Sequence, residues 1–209
     1  MVDWGNLQNA EIDTLKEIGN IGAGNAATAL SKMLGKMVTL KVPVVNLVEF
    51  KDITEFLGGP EQLVIGVLVR ITGGINGMMM FLVPKGAGAI LIRSLMGSLA
   101  PARNSGEFTE MELSAMQEIG NILASSYLGS LAGFIQKDVY PSVPFLSIDM
   151  ANAILSVPAI EFGKTADKAL LIESVFKTDS ESLSGYFLLI PDAPSLAVVL
   201  TALGVRRDM

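Results

Sequence analysis

The chain has 209 residues, half of them apolar and 17% charged, with a mean hydropathy of +0.50, which excludes a disordered chain and allows about 70% of the unfolded surface to be buried. Fifteen basic against twenty-one acidic residues leave a net charge of −6 with no Lys/Arg cluster, so nucleic acid is not expected as a partner. The absence of Cys and His removes triads built on those residues, thiol redox chemistry and Cys/His zinc sites, leaving carboxylates, amides, hydroxyls and Lys/Arg to carry any chemistry.

The amino-terminal stretch MVDWGNLQNAEIDT is acidic where a secretory signal would be basic and has no apolar core, which implies a cytoplasmic address. Apolar periodicity predicts a first long helix over about Glu11–Leu34 and then a strand over about Val38–Glu49, followed by a short segment after Asp52 that reads as a single helix. Two strands at about Leu63–Thr72 and Gly77–Val83 flank the turn Thr72-Gly-Gly-Ile75, and a closing helix covers about Lys85–Met96. The same series then returns: a helix over about Glu110–Gln136, strands at about Tyr140–Ile148, Ala169–Lys177 and Ser184–Ile190, a segment after Asp149, and a helix over about Ala193–Leu203. The longest uncharged run, Ile119 to Gln136, carries Asn121, Ser125, Ser126, Ser130 and Gln136, so it reads as a buried amphipathic helix and no membrane span is expected.

The recurrence is literal. Glu17-Ile-Gly-Asn-Ile21 returns as Glu118-Ile-Gly-Asn-Ile122, and Val42-Pro43 returns at the same spacing of 101 as Val143-Pro144. Gly77–Gly97 is echoed by Gly185–Gly204, with Pro84 matching Pro191 and Gly97 matching Gly204 at a spacing of 107. The reading is therefore an internally duplicated α/β (α+β) domain with pseudo-two-fold symmetry, a largely antiparallel sheet and two long motif-bearing helices. Its repeats cover about 10–98 and 110–204 of a single domain 1–209, joined by Pro101-Ala-Arg-Asn-Ser-Gly106. Each repeat alone is near the lower size limit for folding, so one merged core is expected, and a duplication that replaces a homodimer interface favours a monomer.

At 100° per residue, Asp13, Glu17, Asn20 and Gly24 fall on one strip of the first helix, with Leu15, Ile18, Gly22, Ala26, Ala29 and Met33 opposite. Ser114, Glu118, Asn121 and Ser125 form the matching strip, opposite Met116, Ile119, Leu123 and Tyr127. Both strips are expected to face solvent. Flanking small residues, Gly19, Gly22 and Gly24 in one helix and Gly120, Ala124 and Ser125 in the other, would let a partner approach the backbone, although Gly22 is equally explained by close packing. Gly19-Asn-Ile-Gly-Ala-Gly24 imitates a dinucleotide fingerprint, but such a fingerprint follows a strand and opens a helix, whereas AEIDTLKEI before it is already helical. Asp13 and Glu17 on one helix turn offer too few oxygens for a metal cage, so no intrinsic metal is expected.

The doubled pattern (D/S)-x-x-x-E-x-x-N, present as Asp13/Glu17/Asn20 and Ser114/Glu118/Asn121, resembles the CheC family of chemotaxis phosphatases, a group that includes CheX and the middle domains of FliY and FliM. The resemblance runs from about Glu11 to Gly204. It implies hydrolysis of the aspartyl phosphate of the response regulator CheY: Glu17 and Glu118 would contact the regulator's lysine, Asn20 and Asn121 would hold a water in line with phosphorus, and Asp13 and Ser114 would support docking beside Gly24 and Ser125. It implies no cofactor in this chain, Mg²⁺ on the regulator, and CheD as a regulating partner. An amide suits the task, because it both donates to and accepts from water and carries no charge to repel phosphoryl oxygens. The competing expectations are a non-enzymatic flagellar-switch-like module and a protein that mainly binds CheD. The chain's end five residues beyond Gly204 and its early first helix speak against the switch module.

Overall fold

The computed structural model describes residues 7–35, 37–97, 107–162, 168–177 and 182–205; the Pro101–Gly106 segment read as a linker lies outside them. In chain order the elements are α1 (Asn9–Leu34), β1 (Thr39–Lys41), β2 (Val45–Glu49), α2 (Ile53–Phe56), β3 (Leu63–Gly73), β4 (Gly77–Pro84) and α3 (Lys85–Met96). The second series is α4 (Glu110–Ile135), β5 (Val139–Pro141), β6 (Phe145–Met150), α5 (Ala151–Phe162), β7 (Lys168–Lys177), β8 (Ser182–Pro191) and α6 (Ala193–Ala202). Both expected segments after Asp52 and Asp149 are helical. Each expected leading strand is instead two short strands, because the backbone between them leaves the ladder in an arch around the Val-Pro pair, where proline supplies no N–H for pairing.

Local signals set the ends of the long helices. The Glu11 carboxylate accepts from the Gln8 N–H at 2.9 Å, and the Glu112 carboxylate accepts from the Thr109 N–H at 2.9 Å while Thr109 Oγ1 accepts from the Glu112 N–H. Gly35 and Gln136, both left-handed, terminate α1 and α4.

All eight strands join one antiparallel sheet in the order β1-β7-β8-β4-β3-β5, with β2 continuing along β7 and β6 along β3. β3 and β4 pair antiparallel as the Thr72–Ile75 turn predicts, and β7 and β8 pair in the same sense. The leading strands cross over: β1 and β2 of the first half pair with β7 of the second, and β5 and β6 of the second pair with β3 of the first. The registers Leu40↔Phe176 and Val45↔Ile172 match Pro141↔Ile71 and Leu146↔Val67, which keeps the spacing of 101 through the leading strands.

Both sheet faces are covered, which explains the unbroken apolar runs GMMMFLVP and GYFLLIP. Met79, Phe81, Val83, Phe187 and Leu189 face α1, α3, α4 and α6, and Met78, Met80, Leu82, Leu188 and Ile190 face α2 and α5. Phe81 stacks on Phe187 at 4.9 Å, and the Tyr127 ring lies 4.6 Å from Phe187. Burial pushes the Tyr127 phenol up to about 12 while its hydroxyl shares a 2.7 Å hydrogen bond with Ser174, so it is a neutral packing group. Arg70 on β3 makes a bidentate pair with Glu161 and ties α5 to the sheet.

The apolar arcs of the long helices face inward as expected for Leu15, Ile18, Gly22, Ala26, Met116, Ile119, Leu123 and Tyr127. Met33 is a correction: at 47% exposure it sits in the last turn of α1, whose core contacts are made by Leu30 and Leu34 instead. The small residues are largely a correction too. Gly19 packs against Val42, Gly120 against Val67, and Ala124 is buried, so they serve internal contact and give no partner access; Gly24, with open space around it, and Ser125 are exposed. Gly22 sets the crossing of α1 on α4, since a Cβ there would lie 2.9 Å from the Tyr127 Cα. Gly22→Ala is expected to force the two helices apart and cost about 1–3 kcal/mol, read as a lower denaturation midpoint in urea.

Candidate functional site

Each strip emerges on the surface where a long helix passes the arch of its own half. Asp13 and Glu17 on α1 and Ser114 and Glu118 on α4 are exposed, as are Gly24 and Ser125. Asn20 and Asn121 are half-buried and not fully exposed, each lying on the side of its helix that faces the arch of its half. Glu and Asn three positions apart on one helix place a carboxylate outermost and a carboxamide one turn deeper, a suitable geometry for holding a partner's cation while presenting an amide to its interior.

The two strips are equivalent in sequence and different in state. In the first half, Asn20 Oδ1 accepts from the Val42 N–H at 3.1 Å, and Asn20 Nδ2 donates to the Lys16 carbonyl at 3.1 Å and to the Val42 carbonyl at 3.5 Å. The arch lies down on the helix, with Val42 2% exposed and packed over Gly19. In the second half, the matching Val143 is 85% exposed. There the arch stands off from α4 and leaves an open groove of about 500 Å³ lined by Ser114, Gln117, Glu118, Asn121 and the arch residues 141–144. Asn121 makes no side-chain hydrogen bond to a described residue. Its arch is held by other groups: Gln117 Nε2 donates to the Pro144 carbonyl at 2.6 Å, and Ser142 Oγ donates to the Val143 carbonyl at 3.0 Å while accepting from the Arg70 N–H.

Gln117 and the two arches were not singled out from sequence, where the Val-Pro pairs served only to fix the register. The signal lay in the positions just before the shared E-I-G-N-I: Lys16 in one copy, Gln117 in the other. Gly19–Gly24, the imitation of a dinucleotide fingerprint, lies in the middle of α1. Among the described residues no group of three or more acidic side chains could hold a metal ion, and no helix is long and apolar enough to cross a membrane.

With that geometry in hand, comparison with known proteins places the fold. The CheC-like family model matches residues 11–47 and 111–148, which are the α1–β2 and α4–β6 units that carry the two strips. The chain is 33% identical over 202 residues to the CheY-P phosphatase CheC of Bacillus subtilis, covering 95% of this chain and 96% of that one. It is 30% identical over 138 residues to the flagellar motor switch phosphatase FliY of Bacillus subtilis, covering 66% of this chain and 35% of that one. The crystal structure of Thermotoga maritima FliY superposes with a TM-score of 0.74 at 24% identity, over 95% of this chain and 98% of that one, and so shares the fold. These define a duplicated helix-and-sheet domain of the chemotaxis and flagellar-switch kind. This chain belongs to the CheC-like family.

The different states of the two carboxamides have a stability consequence. Asn20→Ala leaves the N–H of buried Val42 without its partner and is expected to cost about 1–3 kcal/mol, whereas Asn121→Ala should stay within about 0.5 kcal/mol of wild type. Parallel urea unfolding of the two variants measures the contrast.

Proposed function

We propose that this protein is a phosphatase for the phosphorylated chemotaxis response regulator CheY, acting through the groove of the second half. The observation that carries the reading is the pairing of exposed Glu118 with Asn121, whose carboxamide is unengaged at the mouth of that groove. Family membership and the relatives named CheY-P phosphatase support it. CheD belongs to the reading as a regulating partner on the strength of the same membership.

The chemistry asks little of the chain. An aspartyl phosphate is an activated acyl phosphate, and the regulator's own Mg²⁺ neutralises its oxygens, so hydrolysis needs a water held in line with the P–O bond to the aspartate. Glu118 anchors the docked regulator through its active-site lysine by a charge-assisted hydrogen bond. Asn121 reaches into that active site, its carboxamide holding the water by accepting from it through Oδ1. Water adds to phosphorus, the aspartate carboxylate leaves, and inorganic phosphate and free regulator result. Ser114 and Ser125 border the contact. In the first half, Asp13, Glu17 and Gly24 present the same recognition surface, with Asn20 turned toward its own backbone.

The test is the decay of phosphorylated CheY at fixed Mg²⁺. The wild-type protein is expected to accelerate it, and Asn121→Ala to lose about tenfold or more of that acceleration while remaining folded. Glu118→Lys should weaken docking by setting two cations against each other. Decay unchanged by the wild-type protein would overturn the reading.

A further inference from the structure

The two halves solve one packing problem in different ways. Between β1 and β2, and again between β5 and β6, the chain leaves the sheet for a few residues, and the polar backbone of that arch must find partners against the adjoining helix. In the first half the strip's asparagine supplies them, on both sides of Val42. In the second half Ser142 takes the carbonyl of Val143, the counterpart of Val42, Gln117 takes the Pro144 carbonyl one residue on, and the Val143 N–H makes no hydrogen bond to a described residue. The corresponding residues of the first half are Lys16 and Lys41. An ammonium is a strongly hydrated point charge and gains little by leaving water for a carbonyl, so neither lysine takes over the arch.

We propose that Gln117 is a positioning residue: by carrying the second arch it leaves Asn121 free to meet a partner, and Lys16 in the same place commits Asn20 to its own arch. The functional half of this statement rests on the phosphatase reading, whereas the clamp stands on the hydrogen bonds alone. The second half is therefore the open site. The first is a closed copy whose amide must be released from Val42 before it can hold a water.

Two readouts test it. The first is exchange of the asparagine side-chain amides with water, followed in ¹⁵N spectra. In the wild-type protein the Asn20 amide is expected to be protected relative to Asn121. Gln117→Met, which keeps length but cannot donate, should slow Asn121 as it swings onto the arch, and Lys16→Gln should speed Asn20.

The second readout is turnover of phosphorylated CheY. Gln117→Met should lower kcat by about fivefold or more with KM changed by less than about twofold, since docking is retained and the amide is misplaced. In an Asn121→Ala background, adding Lys16→Gln should raise the residual rate by about threefold. Adding Lys16→Met, which removes the charge without supplying a donor, should not. Wild-type amide exchange and wild-type kcat in Gln117→Met would overturn the proposal, as would equal recovery from Lys16→Gln and Lys16→Met. If the amides behave as expected and no form of the protein accelerates decay, the clamp is established and the phosphatase reading falls instead.

Discussion

The structure depends on an exchange of strands between its halves. Taken alone, the hairpin β3–β4 would expose the outer edge of β3, and β7–β8 the outer edge of β7, each a row of unpaired backbone groups. The leading strands of the opposite half cover both edges. β4 and β8 pair across the pseudo-two-fold axis to complete one sheet. Because each half lends its first strands to the other, α1 and α4 are drawn across the same face and meet at Gly22, and their outward strips are held on rigid elements. A site that works by positioning needs that kind of support.

The exchange also creates the arches. A strand that must follow one helix and then lie along another half's hairpin has to step out of the ladder near its Val-Pro pair, and the step exposes backbone groups beside the strip. Whichever side chains answer those groups decide what the strip can do. Three polar residues occupy matching positions in each half, and their identities differ: Lys16, Asn20 and Lys41 in one, Gln117, Asn121 and Ser142 in the other. Duplication thus preserved the motif in both copies while letting a neighbouring position change its state. The 2% and 85% exposures of Val42 and Val143 are the visible result.

Much of this was legible in the residues. The duplication, the two long helices, the hairpins and the polar strips follow from short-range periodicity and literal repetition, and the Glu and Asn positions follow from helical spacing. The role of the small residues was not legible. Gly19, Gly22, Gly120 and Ala124 stand beside the strip residues in the chain, and neither sequence nor wheel shows what lies across from them; only the packed helices and sheet show that Val42, Tyr127 and Val67 already occupy the space beside the three glycines. The same holds for Met33, which lies on the apolar arc of the wheel while its turn meets the core through Leu30 and Leu34.

The sequence by itself determined the repeat, the element types and the residues displayed on each helix, because these are set by contacts between residues near one another in the chain. Only the tertiary structure decided which half's strands complete which hairpin, and with it which carboxamide is occupied. Those outcomes turn on hydrogen bonds between groups more than twenty residues apart, such as Asn20 with Val42 and Gln117 with Pro144, whose partners come within reach only after the sheet has closed.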